Sequence, residues 1–162
     1  MKLPENDYQI LKLTDAFYQA YPNPPCREIL KKQQRTYNCL LFQSHYGYFI
    51  CVPYRSEIHH KYAYHFKTTS RSKIHKSGLD YTKIVIVNKS EYIDEKNAII
   101  DKDEFNETMM HLDKIKAEPL QFVEDYIKHH KKVAVLHERE YHRRYAFSTY
   151  SIFIKNWGFE EA

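Results

Sequence analysis

The spacing of the apolar residues changes near residue 101, and this change decides which fold class the chain can adopt. Upstream, the segments 37–42 and 48–53 are dense in Tyr, Phe, Leu, Ile and Cys and predict a β-hairpin. The segment 81–87 ends in β-branched residues and predicts a buried strand. Downstream, apolar residues recur every three or four positions, which is the spacing of one helical face. The sequence therefore predicts an α+β fold with its helices mainly in the C-terminal half.

The remaining elements are predicted from shorter patterns, and all of them fit one domain over residues 1–162, because no linker, repeat or low-complexity segment interrupts the chain. Pro119 is assigned to the first residue of a second helix, whose inward face is assigned to Leu120, Val123, Tyr126 and Ile127. The inward face of the first long helix is assigned to Phe105, Met109, Leu112 and Ile115. The other predicted segments are a strand over 8–13, a short helical turn from Thr14 or Asp15, an exposed strand over 61–67, an extended segment over 91–100, and short helices over 137–145 and 148–157.

Glycine is scarce, and this scarcity excludes several nucleotide-binding classes. The chain has 3 Gly and contains neither GxGxxG nor GxxxxGK[ST], so a dinucleotide fold or a P-loop is not expected. Its 3 Cys form no CxxC pair, which argues against a zinc ribbon and favours reduced thiols. The apolar runs are far shorter than the roughly 20 residues of a membrane helix, and no signal-peptide pattern opens the chain. We therefore expect a cytoplasmic protein.

Positive charge is concentrated in one stretch of the chain. Residues 55–83 hold seven Lys or Arg against two acids, a larger excess than the net charge of +4 of the whole chain. Tyr, Phe and His side chains lie between these cations. Cations that follow phosphates and rings that stack on bases are what a single-stranded nucleic acid requires. The stretch predicts RNA binding, because flexible RNA strands expose their bases; an ordinary solvated basic surface has the same composition.

The end of the second hairpin strand carries the strongest catalytic pattern. Arg55, Ser56 and His59 follow that strand, whose end holds side chains rigidly while exposing them. Arg offers planar donors for a phosphate, Ser a short hydroxyl, and His a group that exchanges protons near neutral pH. Such groups suit metal-free RNA cleavage, in which a base takes the proton of a ribose 2′-oxygen that attacks phosphorus.

The hairpin predicts that two further residues lie near the same point. Antiparallel pairing brings the start of one strand beside the end of the other. Arg35 and Tyr37, which open the first strand, are therefore expected close to Arg55 and Ser56. The alternative is that Tyr37 belongs to the core and that Arg35 is a surface cation.

Five segments of the sequence share the motifs of a known toxin family. The more specific ones are Pro-Tyr-Arg-Ser followed by His-His within 48–60, and Ser-Gly-Leu-Asp-Tyr within 77–87. The supporting segments are 35–41, 101–106 and 143–149, so the resemblance spans nearly the whole chain. In these segments the chain resembles the toxins of type III toxin–antitoxin systems, in the ToxN/AbiQ family and in particular its CptN-like branch.

The resemblance implies a compact SH3-like antiparallel β-barrel core with added helices. It implies a sequence-selective, metal-independent endoribonuclease that leaves 2′,3′-cyclic phosphate ends. The implied partner is a small repeat-derived RNA antitoxin that folds into pseudoknots. The toxin cuts the repeat precursor and stays bound to the product in a closed heteromeric assembly. Free toxin is expected to cleave cellular mRNA, to arrest growth and to abort phage infection.

The resemblance also assigns site residues. It places the strand-end hydroxyl at Ser56, its basic companion at Arg55, and the cation before the preceding strand at Arg35, with Tyr37 nearby. We expect Ser56 to orient or activate the 2′-oxygen and the two Arg side chains to stabilise the phosphoryl charge. The chain departs from other branches after Ser56, so His59 either transfers the proton, as we expect, or binds phosphate. RNA contacts are expected from Lys61, Tyr64, Phe66, Lys67, Arg71, Lys73, Lys76 and Lys83, with Tyr64 or Phe66 stacking on bases.

Two other functions fit parts of the sequence. A non-catalytic RNA-binding regulatory module explains the cations and rings equally well, but it gives Arg55, Ser56 and His59 no task. A metal-dependent nuclease is the third reading. The chain contains no HExxH and no His pair with a carboxylate at a familiar metal-ligand spacing. Neither a metal nor another cofactor is therefore expected.

Overall fold

Seven strands and four α-helices are formed by the residues that the computed structural model describes, which are 8–30, 37–44, 49–96 and 98–157. The strands are β1 (Gln9–Leu13), β2 (Asn38–Gln43), β3 (Phe49–Arg55), β4 (Ala63–His65), β5 (Gly78–Asp80), β6 (Val85–Val87) and β7 (Ile93–Asp94). The α-helices are α1 (Asp15–Ala20), α2 (Lys102–Met110), α3 (Leu112–His130) and α4 (Glu138–Tyr145). Short 3₁₀ segments lie at Arg71–Lys73, Tyr81–Lys83, Ser90–Tyr92 and Tyr150–Trp157. The α+β prediction is confirmed, and three of these α-helices follow residue 101.

The sheet is antiparallel and is organised around β3. The strand order is β4-β5-β3-β2-β1-β7, and β6 also pairs with β3. Strand β3 pairs with β2 and β6 along its first part and with β5 at its end, where Arg55 lies opposite Gly78. All of β3 between its two terminal residues is buried, as expected for a central strand that is apolar on both faces. The predicted hairpin is therefore confirmed.

The described strands do not close into a barrel. Strands β4 and β7 stand at the two ends of the strand order and do not pair with each other. They have only three and two residues, which is too little ladder to bridge the two edges. The closed barrel expected from the resemblance is therefore replaced, in the described part of the chain, by an open sheet.

Helix α3 supplies the apolar face that covers the core. Val123, Tyr126 and Ile127 are buried, as the sequence predicted, whereas Leu120 is half-buried. Pro119, however, lies inside α3 and does not begin a helix. The buried face before and after this proline outweighs the hydrogen bond that its missing N–H removes. The predicted second helix is thus the continuation of one that begins at Leu112.

Helix α2 buries polar residues where the sequence predicted an apolar face. Phe105 is 39% exposed, whereas Glu104, Glu107 and Thr108 are buried. The Glu107 carboxylate accepts hydrogen bonds from the N–H groups of residues 67 and 68 and from nearby hydroxyls. Burial opposes ionisation of Glu107, but these hydrogen bonds outweigh it and lower the pKa of its carboxyl. Of the four residues assigned to the inward face, Ile115 is fully buried.

The shorter predicted segments differ in outcome. The strand over 8–13 and the helical turn after it correspond to β1 and α1. The segment 61–67 contains β4, but it is not an exposed strand, because Tyr64 and Phe66 are buried. Strand β5 was not predicted. A 3₁₀ turn followed by β6 lies in the segment 81–87, and the short β7 lies in 91–100. Helix α4 lies in 137–145, and a 3₁₀ segment lies in 148–157. None of the helices in the described ranges has the length and apolar character needed to cross a bilayer.

Candidate functional site

A cleft of about 260 Å³ opens at the end of β3. Its walls include Tyr37, Arg55 and Ser56, which the sequence predicted to lie together. It also includes Arg71, which was expected to bind RNA, and Lys12, which was not singled out. Arg35, the remaining predicted cation, lies outside the described residues. The cleft is completed by Asn38, Tyr54, Ile99, Ile100, Asp101 and Glu104.

The register of the central hairpin explains why these residues meet. Cys39 lies opposite Pro53 in the β2–β3 ladder. Continuing this antiparallel register by two residues brings Tyr37 level with Arg55. The prediction that the start of β2 lies beside the end of β3 is therefore confirmed at this position.

Arg55 is fixed by a fully buried carboxylate on the neighbouring strand. Its Nη1 donates to Oδ2 of Asp80 at 2.9 Å, and Asp80 is 0% exposed. The other oxygen, Oδ1, accepts from the N–H of Thr82 at 2.9 Å and from its hydroxyl at 2.6 Å. His60 Nε2 lies 3.2 Å from Oδ1. One N–H of the guanidinium is thus committed to Asp80, and the side chain keeps partial exposure at the cleft.

The same contacts keep Asp80 ionised. Burial by itself raises the pKa of a carboxyl group. Hydrogen bonds from His60 and Thr82 outweigh this effect, so the pKa of Asp80 lies below its ordinary value. A charged acceptor therefore stays beside Arg55 at neutral pH.

Gly78 allows β4, β5 and the end of β3 to pack together. It pairs with Arg55 on one side and with His65 on the other. A Cβ atom at this position would lie 1.8 Å from the carbonyl oxygen of Tyr64. No residue with a side chain fits this close approach of two backbones.

The chain leaves the cleft at Glu57, and this turn separates His59 from Arg55 and Ser56. Glu57 has a φ of 58°, which an L-residue adopts at a cost of about 1 kcal/mol. Its carboxylate pairs with His59 at 3.4 Å and with His75. His59 is 64% exposed at its side chain and does not line the cleft. The prediction that His59 acts beside Ser56 is therefore not supported by its position.

His59 lies in a second, wider depression, which we call the histidine groove. This groove has a volume of about 410 Å³. Its cations Lys61 and Lys76 are exposed, as an RNA-binding role requires. The full lining consists of Ile58, His59, His60, Lys61, His65, Phe66, Ser72 and Lys76.

Other residues expected to bind RNA have different positions. Lys67 and Lys73 are exposed. Lys83 is only 12% exposed at its side chain, because its Nζ donates to Glu28 and to the carbonyl of Phe147, both at 2.7 Å. The position of Lys83 therefore does not support an RNA-binding role.

The two rings expected to stack on bases belong to the core. Tyr64 and Phe66 are both buried. The Tyr64 hydroxyl donates to Glu107 at 2.8 Å, and the Phe66 ring stacks on Tyr54 with the centroids 6.1 Å apart. The prediction that they stack on bases is wrong, because the alternation of rings and polar residues over 61–67 reflects packing under α2.

Several cleft residues gave no signal in the sequence. Glu104 follows Asp101 and Asp103 in a polar segment at the N-terminus of α2, so its burial could not be predicted. Lys12 and Asn38 lie inside strands that the sequence assigned only to the sheet. The β2–β3 ladder brings Asn38 to the end of β3, and Lys12 follows because it pairs with Asn38.

Neither a metal cluster nor a relative identifies the site. Within residues 8–30, 37–44, 49–96 and 98–157, no group of three or more His, Cys, Asp or Glu is placed to hold a metal ion. Comparisons with protein-family models, curated proteins and solved structures find no match to this chain.

Proposed function

We propose that the chain is the endoribonuclease toxin of a type III toxin–antitoxin system, in which the cleft at the end of β3 cleaves RNA without a metal or another cofactor. The observation that carries this proposal is the meeting of Arg55, Ser56 and Tyr37 with the cations Lys12 and Arg71 in one cleft. A phosphodiester requires concentrated positive charge beside a short hydroxyl, and these residues provide both.

In the proposed reaction the RNA cleaves itself by transesterification. Ser56 orients the ribose 2′-hydroxyl, whose oxygen attacks the adjacent phosphorus while a base takes its proton. The P–O5′ bond breaks, and the products carry a 2′,3′-cyclic phosphate and a 5′-hydroxyl. Arg55, held by Asp80, stabilises the charge that builds up on the phosphoryl oxygens.

The proposed partner is a repeat-derived RNA antitoxin. Its pseudoknot occupies the cleft and the histidine groove, and its backbone is bound by the exposed cations Lys61, Lys67, Lys73 and Lys76. The toxin produces this RNA from a repeat precursor and remains in a closed heteromeric assembly with it. Toxin released from the assembly cleaves mRNA, arrests growth and defends the host against phage.

The proposal extends to fold group and location. An SH3-like relationship rests on the resemblance of the sequence and on the partner change of β3, which moves from β2 and β6 to β5 at its end. The protein acts in the cytoplasm, where its RNA substrates are.

The test is RNA cleavage by the purified protein after removal of bound RNA under denaturing conditions and refolding. We expect wild-type protein to cleave a set of mRNAs equally well with and without EDTA, and to leave cyclic phosphate ends. Ser56→Ala should lower the rate by about 10²–10⁴-fold, with RNA affinity and melting temperature unchanged. Ser90→Ala, at an exposed serine outside the cleft, is the matched control.

Each alternative function gives a different result. Binding without cleavage by folded wild-type protein identifies the non-catalytic RNA-binding module and contradicts the proposal. Cleavage that EDTA abolishes and added divalent ions restore identifies a metal-dependent nuclease. Expression in cells provides a second readout, since wild-type protein should stop growth and Ser56→Ala should not.

A further inference from the structure

The cleft needs a proton acceptor, and His59 is not placed to be one. His59 lies in the histidine groove with Glu57 as its partner. Of the two carboxylates that the described residues contribute to the cleft, Asp101 is largely exposed and is bound to Arg71 at 3.2 Å. The second is Glu104, in the first turn of α2.

Glu104 is enclosed, yet the fold does not use its carboxylate. The residue is 5% exposed, and its side chain accepts no hydrogen bond from a described residue. Its backbone N–H donates to Asp103, and its carbonyl accepts from Thr108. Glu104 lines the cleft wall.

The neighbouring acids of α2 differ from Glu104 because the carboxylate of each accepts hydrogen bonds that stabilise the fold. Asp103 accepts from the N–H groups of Ser70 and Glu104, both at 2.8 Å. Glu107 binds the turn at residues 67 and 68. Burying a carboxylate without hydrogen-bond donors opposes folding. Glu104 therefore carries an unfavourable burial that no hydrogen bond from a described residue compensates.

The surroundings of Glu104 make it a stronger base than an exposed carboxylate. Burial is the largest effect on the pKa of Glu104 and raises it, whereas the positive charge of Arg71 lowers it. The negative charges of Asp101, Asp103 and Glu107 raise it further, so the pKa lies above the ordinary 4.5. A base works best when its pKa approaches the working pH. The charged and titratable groups around Glu104 are Arg71, Asp101, Asp103 and Glu107, with Lys12, Tyr37, Tyr54 and Arg55 on the other cleft walls.

We infer that Glu104 is the general base of the cleft and accepts the proton of the attacking 2′-hydroxyl. This inference rests on the proposed endoribonuclease function and names the residue that it needs. The electron pair of the 2′-O–H bond forms the new O–P bond, and the proton passes to the Glu104 carboxylate. The pair of the P–O5′ bond stays on the 5′-oxygen, which takes a proton from water. The proton on Glu104 then neutralises the resulting hydroxide, and the carboxylate is restored.

The deciding experiment compares wild-type protein with Glu104→Gln on a single-stranded RNA substrate over a range of pH. Glu104→Gln keeps the shape of the side chain but cannot accept a proton. We expect its single-turnover rate at pH 7 to fall by about 10²–10⁴-fold, with RNA affinity retained. The wild-type rate should decline as pH falls through the pKa of Glu104, since only the ionised carboxylate is a base. This decline should be absent from the residual rate of Glu104→Gln.

Melting temperatures and two further variants distinguish loss of the general base from loss of the fold. Because burial disfavours the charged form of Glu104, the neutral Gln should not lower the melting temperature. Glu104→Asp keeps a carboxylate and should retain the acidic decline at a reduced rate. Glu124→Gln, on α3 in an ion pair with Lys128 and outside the cleft, should cleave like wild type.

The outcomes separate this inference from the function on which it rests. If folded wild-type protein cleaves no RNA, the proposed function fails. If wild-type protein cleaves and Glu104→Gln cleaves within tenfold of it, or keeps the acidic decline, only the inference is overturned. A Glu104→Gln protein that cuts at the wild-type rate but at different sequences also overturns it, because Glu104 would then read a base.

Discussion

The cleft and the histidine groove are adjacent in sequence but differ in how their side chains are held. In the cleft, Arg55 is fixed by the buried Asp80. In the groove, Lys61 and Lys76 are exposed, and His59 is held by an exposed pair with Glu57. Exposed ion pairs contribute little to fixing a geometry, whereas buried hydrogen-bonded charges hold it firmly.

Under the proposed function, this difference predicts separate roles for the cleft and the histidine groove. Chemistry requires groups fixed to within a fraction of an ångström, whereas backbone binding requires only a high density of positive charge. Asp80 joins the two regions, because it contacts both Arg55 of the cleft and His60 of the groove. Changes at shared supports should therefore damage both regions, and changes within one region should affect either rate or affinity.

Gly78→Ala should have the largest effect and should remove the distinction between the regions. The new Cβ would meet the Tyr64 carbonyl oxygen at 1.8 Å, so β4 and β5 must separate. We expect a loss of about 3 kcal/mol in the free energy of unfolding, as for severe overpacking. Both cleavage rate and RNA affinity should fall. Chemical denaturation measures the first effect.

The control for Gly78→Ala is its neighbour Ser77. The Ser77 hydroxyl is buried and has no hydrogen-bond partner among the residues that the structure describes, so Ser77→Ala should change the free energy of unfolding by less than about 1 kcal/mol. Equal stabilities of Gly78→Ala and wild type would contradict the close packing of β4 on β5.

Arg55→Lys should separate rate from affinity most clearly. Lysine retains the charge but loses the planar group that binds Asp80 and, in the proposed reaction, the phosphate as well. We expect the single-turnover cleavage rate to fall about 10²-fold, with RNA affinity reduced less than threefold. Arg139→Lys, at an exposed position on α4, should cleave like wild type. A large loss of affinity with an unchanged rate would place Arg55 among the binding residues.

Asp80→Asn should weaken both regions, to a smaller extent than Gly78→Ala. Asparagine removes the charge that holds Arg55 and His60. We expect a loss of about 2 kcal/mol in the free energy of unfolding at pH 7, since hydrogen bonds to charged groups are the strong ones. Thermal and chemical denaturation measure this loss.

The pH dependence of the same variant provides its control. The pKa of Asp80 is lower in the fold than its ordinary value of 3.8. Its ionised form therefore stabilises the fold above pH 3.8, and this contribution is lost as pH falls through the lower, folded pKa. The stability difference between wild type and Asp80→Asn should shrink over this range. A difference that stays constant down to pH 2 would show that charge is not the cause.

The elements that were predicted correctly from the sequence are those that bury apolar side chains. Strand β3 and the buried face of α3 are dense in apolar residues, so hydrophobic burial alone determines them. The strand-end position of Ser56 follows from the same pattern. The face of α2 was mispredicted because Glu107 is held there by hydrogen bonds to a turn far away in sequence. A sequence pattern contains no signal for such contacts.

The candidate site was predicted in part for a related reason. Tyr37, Arg55 and Ser56 were brought together by hairpin geometry, which is local. Glu104 reaches the cleft only through the packing of α2, which no short-range pattern encodes. His59 was misplaced because Glu57 adopts a positive φ, and glutamate gives no signal of this conformation.

Lys76→Ala should have the smallest effect and should change RNA affinity alone. It tests whether the histidine groove binds RNA. The side chain is exposed, and it lines the groove but not the cleft. We expect RNA affinity to fall about fivefold and the slope of log affinity against log salt to decrease by about 1, as for one lost phosphate contact. The rate at saturating RNA should not change, because phosphate binding in the groove fixes no reacting atom. Lys89→Ala, at an exposed lysine in neither region, should leave the slope unchanged. Equal slopes for Lys76→Ala and wild type would show that RNA does not bind in the groove and that the cleft is the whole binding site.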